Sequence, residues 1–210
     1  MASRNYSNSP VSNEGSTVSF KTLAISFIVF LATSLWAQDN SRTTPVNTRC
    51  EVQAEETEVF VGYLKAEKPS PGLTVLVTRT VPADMDVDTF NLQLAAKGRG
   101  IPPEVRADFK EKNKSSCTIA PFSGVVNLRF ISKGEHDQIF QTGWTEFHER
   151  YGNEASILWL SRVGFNRDKT LALLYVSSGM GRLAVGGALY LLERKEAKWV
   201  IKTRLQIYVS

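Results

Sequence analysis

Four groups of residues have types and spacings that could do chemistry. Gly179-Met180-Gly181-Arg182-Leu183-Ala184 fits G-x-G-x-x-A and follows the apolar run LALLYV, as a pyrophosphate-cradling turn would. Such a turn must open a helix, and an acid must close a second strand about twenty residues on. Here Gly186-Gly187 and a β-rich run follow, and the nearest acid at that distance, Glu196, lies in a turn. These glycines are therefore expected to serve the backbone: positive φ in a hairpin loop at Gly179 and Gly181, a bulge or close packing at Gly186-Gly187. Asp84-Met85-Asp86-Val87-Asp88 has the D-x-D-x-D opening of a calcium loop. Thr89 replaces the turn glycine and Ala95 the bidentate Glu, so the reading is an acidic turn that caps a helix. His136 and His148 are each flanked by acids, but neither belongs to H-E-x-x-H, since Gly152 stands where its second His should be. No G-x-S-x-G elbow is present. Composition and spacing thus name no catalytic residue, no cofactor-binding residue and no metal ligand.

The fourth candidate is Arg162, polar on the otherwise apolar run ILWLSRVGF. Arginine suits a planar, bidentate hold on an anionic group. Its two readings are an internal ion pair, or a side chain facing a pocket that receives an anionic ligand. The segment around it, SRVGFNRDKT, is expected to be a strand, a bulge at Gly164 and a hairpin turn. Asn166 and Asp168 tolerate left-handed backbone and bond their own main chain.

These residues must be positioned by elements, and the N-terminal region says where they work. Lys21 precedes TLAISFIVFLATSLWA, an uncharged apolar run ending at Ala37 before Gln38. A polar start with a cation, a short apolar core and a small residue at its end form a secretory signal over residues 1–37. A retained N-terminal membrane anchor is the alternative, although the run is shorter than the roughly 20 residues of a comfortable span. On either reading the remainder lies outside the cytoplasm, periplasmic or secreted. Residues 38–50, polar and without periodicity, are expected to be a linker, and 51–210 one folded domain. The two cysteines, Cys50 and Cys117, both fall in the exported part, where an even count points to a disulfide. The formal charge is +4, dispersed without a cationic run, which argues against nucleic acid as a partner.

Residues 51–68 carry Val52, Val59, Tyr63 and Ala66 on one helical stripe, with acids first and lysines last. LTVLVTRTV at 73–81 is a strand. Asp88 is expected to cap a short helix over 89–97, and Pro102 and Pro103 to open a charged helix to 114. VVNLRFIS at 125–132 is a second strand, and 135–152 give two short helical pieces. The last 55 residues carry four strand-like runs joined by short polar connections, which predicts an antiparallel meander. In the final run Trp199, Ile201, Leu205, Ile207 and Val209 are expected to point one way and Lys198, Lys202, Arg204 and Gln206 the other, one face being wet. The fold class expected is α+β, with N-terminal helices packed on a C-terminal four-stranded antiparallel meander.

The motifs EETEVFVGYL, TVLVTRT, ADFKEKN, GWTEFHERYG and above all LSRVGFNRDKTLALLYVS, followed by YLLER and KWVI, resemble those of a group of uncharacterised exported bacterial proteins. The likeness covers roughly 55–210. It implies export and a single α+β domain, and it brings no activity. Two departures stand out: KEAK replaces an Asn-Gly-type turn before Trp199, and the glycine loop lacks the cysteines some of those proteins carry. The function expected is a non-enzymatic binding or interaction module of the envelope or exterior, with an envelope protein as the candidate partner. The alternatives are an extracytoplasmic hydrolase with its site on the sheet face near Arg162, and a domain displayed on an N-terminal anchor as part of a complex.

Overall fold

The computed structural model describes residues 50–67, 71–83 and 85–210. The expected signal and most of the linker lie outside the described residues, as does Asp84. The order of elements is α1 (Ala54–Glu67), β1 (Thr74–Val77), α2 (Val87–Ala95), α3 (Pro103–Lys112), β2 (Leu128–Ile131), α4 (Lys133–Thr142), α5 (Trp144–Tyr151), β3 (Ser156–Leu160), β4 (Gly164–Phe165), β5 (Leu171–Gly181), β6 (Ala184–Lys195) and β7 (Lys198–Val209). Among the described residues no helix is long and apolar enough to cross a membrane.

The strands form one seven-stranded mixed sheet in the order β2-β1-β3-β5-β6-β7, with β4 paired to β5. This corrects the expectation of a four-stranded antiparallel meander. β1 pairs with both β2 and β3 in parallel, while β3, β5, β6 and β7 pair antiparallel. The physical reason is the connections. Parallel strands cannot be joined by a tight turn and need a crossover, which α2 with α3 and then α4 with α5 supply. Every residue of β1 is buried, as a strand covered on both faces requires.

Helices cover both faces. On one, α1 packs Val59, Phe60, Tyr63 and Leu64 onto Leu158, Leu174 and Tyr190. Burying four such side chains stabilises by about 1.5–3 kcal/mol each. On the other face, α3 lays Val105 and Phe109 over Leu173, Leu189 and Leu191, and α4 and α5 lay Ile139 and Phe147 over Val75, Val77 and Ile157. Two glycines permit the close approach. A Cβ on Gly62 of α1 would meet Trp199 Cβ at 2.6 Å, and one on Gly164 would meet the Phe109 backbone nitrogen at 2.5 Å.

Local details also differ from the sequence reading. Asp86, not Asp88, caps α2, accepting from the backbone N–H groups of Asp88 and Thr89. β7 does not alternate uniformly. Leu192 pairs with Ile201 but Leu191 with Thr203, so one residue is extra and the side-chain phase inverts. Trp199 and Ile201 therefore join the α1-side core, and Leu205 and Ile207 the α3-side core. Finally, Gly179 and Gly181 are strand residues. The left-handed glycines are Gly98, Gly124, Gly143 and Gly152 instead. The missing Cβ of Gly179 leaves room for the Trp144 ring, and that of Gly187 for Tyr175 and Tyr208.

Candidate functional site

Arg162 follows β3 and turns inward under the first turn of α1. Its Nε donates to Glu56 Oε1 at 2.9 Å, its Nη2 to Oε2 at 2.8 Å, and its Nη1 to Cys117 Sγ at 2.9 Å and Cys50 Sγ at 3.3 Å. Cys50 and Cys117 form a disulfide. Glu56 is wholly buried and Arg162 nearly so. The Glu56 carboxylate also accepts from the backbone of Gln53 and Val163. Asn113 accepts from the Arg162 N–H and donates to its carbonyl. Each charge thus has a partner and its surrounding donors, which is what a buried pair needs if it is not to cost stability. The disulfide closes a loop spanning 67 residues of sequence separation. Cross-linking a loop of that size stabilises by about 4 kcal/mol on the chain-entropy account.

The other sequence candidates are dispersed. Asp86 serves as the α2 cap, and hydrogen bonds from Thr89 hold its carboxyl below the usual range. Asp88 pairs with Arg106 and Lys110. His136 lies against Phe140 and Trp159, its Nδ1 3.0 Å from Asp137. His148 stacks on Trp144 and donates to the Gly152 carbonyl at 3.3 Å. Among the described residues no three His, Cys, Asp or Glu side chains gather to hold a metal ion.

A cleft of about 290 Å³ opens instead at the other end of the sheet, on the α1 side, over the β5–β6 hairpin. It exists because β6 presents small residues there. Ala184, Gly186 and Ala188 line it, whereas Tyr190 and Leu192 fill the same face further along beneath α1. Tyr63, near the end of α1, walls it on one side, edge-on to Tyr190 with ring centroids 4.8 Å apart. Burial raises the pKa of both phenols, so both remain neutral donors. On the β7 side Arg204 and Gln206 line the cleft. Arg204 lies over the Tyr190 ring, 5.7 Å from its centroid, and its Nη2 donates to Gln206 Oε1 at 2.8 Å.

Ser156, at the start of β3, lines the far side. It shares the α1-side face with Leu158 and Leu160, two and four residues on. Ser156 is 1 % exposed, and its Oγ has no hydrogen-bond partner. Two other buried atoms among the described residues share that condition, Trp199 Nε1 and Arg106 Nε. Arg106 Nε lies 3.2 Å from the Asp88 carboxylate, and Trp199 has the Arg194 guanidinium over its ring, so charge compensates the first and neither lines the cleft. An orphan buried hydroxyl costs about 1–3 kcal/mol and requires an explanation.

The cleft residues belong to none of the sequence motifs. Their signals in the sequence are a hydroxyl opening the aliphatic run SILWL and small residues at alternate positions of AVGGA. Compared with known proteins, the chain matches no family model, no curated protein and no solved structure.

Proposed function

We propose that this chain is an exported, non-enzymatic binding module of the periplasm, envelope or exterior, and that the cleft over the β5–β6 hairpin receives its ligand. The observation that carries the reading is Ser156: a hydroxyl buried at the edge of a cleft, facing it, without a partner. A ligand supplies the missing hydrogen bond. Arg162 is a poor centre for ligand or hydrolytic chemistry by comparison, because its guanidinium is engaged by Glu56 and the two sulfurs. The disulfide favours an oxidising compartment, in keeping with the signal-like segment before Gln38. The resemblance to exported bacterial proteins points the same way.

Two measurements test the proposal. Alkylation mass spectrometry on protein isolated from its native cells is expected to find no free thiol and an N-terminus after Ala37 or an uncleaved anchor in the membrane fraction; soluble cytosolic protein with two free thiols would refute export. An amide-shift screen against small polar and amphiphilic fragments is expected to move Ser156, Ser178 and Gly186. Hits confined to another surface would refute the cleft.

A further inference from the structure

Resting on the reading of the cleft as the binding site, we infer the chemical class of its ligand: an elongated amphiphile with an anionic head at Arg204, an apolar middle, and a hydrogen-bonding group at its far end that meets Ser156. The polar groups of the cleft stand at opposite sides. Ser156 belongs to β3 and Arg204 to β7, three strand spacings apart, or about 14 Å before any offset along the strands. Between them the floor is Val176, Ala188 and Gly186, with the Ser178 hydroxyl beside it and the Tyr63 and Tyr190 rings on the α1 side. A compact polar ligand cannot reach both ends, whereas a chain laid across the strands can.

Charge selects the head. Arg204 is the charged residue of the lining, and no carboxylate is among the described lining residues. One of its N–H groups is given to Gln206, and Nη1 is ion-paired with the Glu67 carboxylate at 3.7 Å, too long for a hydrogen bond. The half-exposed guanidinium therefore keeps donors for a carboxylate or a phosphate, and its fork geometry fits either. The mouth selects the middle. Of the six large apolar residues that are exposed among the described residues, Met180 and Val209 line the cleft. Exposed apolar side chains at a cleft favour an apolar stretch of ligand there. Ser156 selects the tail, since an alkyl end would leave its hydroxyl as unpaired as it is without ligand.

The test uses three probes on the full exported domain with its disulfide intact, below micelle-forming concentrations: ω-hydroxydecanoate, decanoate and the α,ω-decanediol. Affinities come from calorimetry and the site from amide shifts at Ser156, Ser178 and Gly186. ω-Hydroxydecanoate is expected to bind about tenfold tighter than the diol, through Arg204, and several-fold tighter than decanoate, through Ser156. Arg204→Gln, at an exposed position, is expected to erase the first difference alone, and Ser156→Ala the second alone. Ser178→Leu, which fills the floor, is expected to abolish binding of all three. Equal affinities for the three probes with shifts in the cleft would overturn the ligand class and leave the cleft as a binding site. The same follows if Arg204→Gln binds ω-hydroxydecanoate as tightly as the unaltered protein. No binding by any probe, or shifts elsewhere, would overturn both.

Discussion

β3 carries a polar residue near each end, and the two have opposite fates. Past its C-terminal end Arg162 enters a closed cluster, where Glu56, two sulfurs and Asn113 engage its side chain and backbone. At its N-terminal end Ser156 enters a cleft and meets nothing. The same helix roofs both, with Glu56 in its first turn and Tyr63 near its last. A satisfied buried polar group belongs to the fold. An unsatisfied one beside a cavity is a cost the fold alone does not return, and that contrast supports the proposal of a ligand at the open end.

The sharpest way to break the contrast is to attack the closed end. Glu56→Ala leaves Arg162 buried without its counter-charge and is expected to destabilise by about 3–5 kcal/mol, toward the upper limit, in urea unfolding. Replacing both members by apolar residues of similar size, Glu56→Leu with Arg162→Met, is expected to cost less than the two single changes summed. A double variant as unstable as the sum would show that the two residues act independently. Next in size is the disulfide. Cys50→Ser with Cys117→Ser is expected to cost up to about 4 kcal/mol. A much smaller loss would mean that the unfolded chain is already restrained, or that Arg162 finds a better partner once the sulfurs are gone. Third is the helix that seals the far face. Gly164→Ala puts a methyl group into the Phe109 backbone, which must move, so a loss of about 1–3 kcal/mol is expected.

The reach of the sequence follows the same division. Local features were legible: the helical stripe of α1, the long strands β5, β6 and β7, and the pairing of the two cysteines. The parallel half of the sheet has a weaker signal. Strand, two helices, strand, two helices, strand is the alternation of crossover units, and TVLV has the unbroken apolar character of a strand buried on both faces. The C-terminal runs taken alone imply a meander. The phase inversion in β7 had no such signal, because a bulge at Lys202 is decided by what Leu191 and Leu192 pair with, not by β7 itself. Glu56 resembled any acid at a helix start, and its partner lies 106 residues away. A long-range ion pair of that kind leaves no local trace. Ser156 is inconspicuous for the opposite reason: a lone serine in a strand is common, and only its surroundings make it unusual.

A smaller gain is expected at the β6–β7 turn, where Glu196 and Ala197 have φ of 47° and 63°. Both lie in the left-handed region, which a two-residue hairpin of this hand requires and which Asn-Gly adopts with least strain. Glu196→Asn with Ala197→Gly is expected to stabilise by about 1 kcal/mol, read as a higher urea midpoint at unchanged slope. No change would mean that the ion pairs of Lys195 and Lys202 with Glu193, whose carboxyl the Lys195 hydrogen bond holds below the usual range, already fix the turn.

The last variant bears most directly on the contrast. Ser156→Ala removes a buried hydroxyl that bonds to nothing and with it the cost of leaving that group unpaired, so the unliganded domain is expected to gain about 1 kcal/mol, read as a higher urea midpoint. A comparable deletion at the closed end, Ser161→Ala, removes a hydroxyl that donates to the Arg162 carbonyl and accepts from Tyr175 N–H. That change is expected to cost about 1–3 kcal/mol, because the Tyr175 N–H loses its acceptor and the Arg162 carbonyl keeps only the Asn113 amide as donor. The two serines lie on the same strand and its extension and are equally buried, at 1 % and 0 % exposure. Any difference in cost therefore comes from hydrogen bonding and not from burial. Equal losses at both positions would show that Ser156 is a structural residue with a partner of its own, and the cleft would then lose the group that marks it as a site.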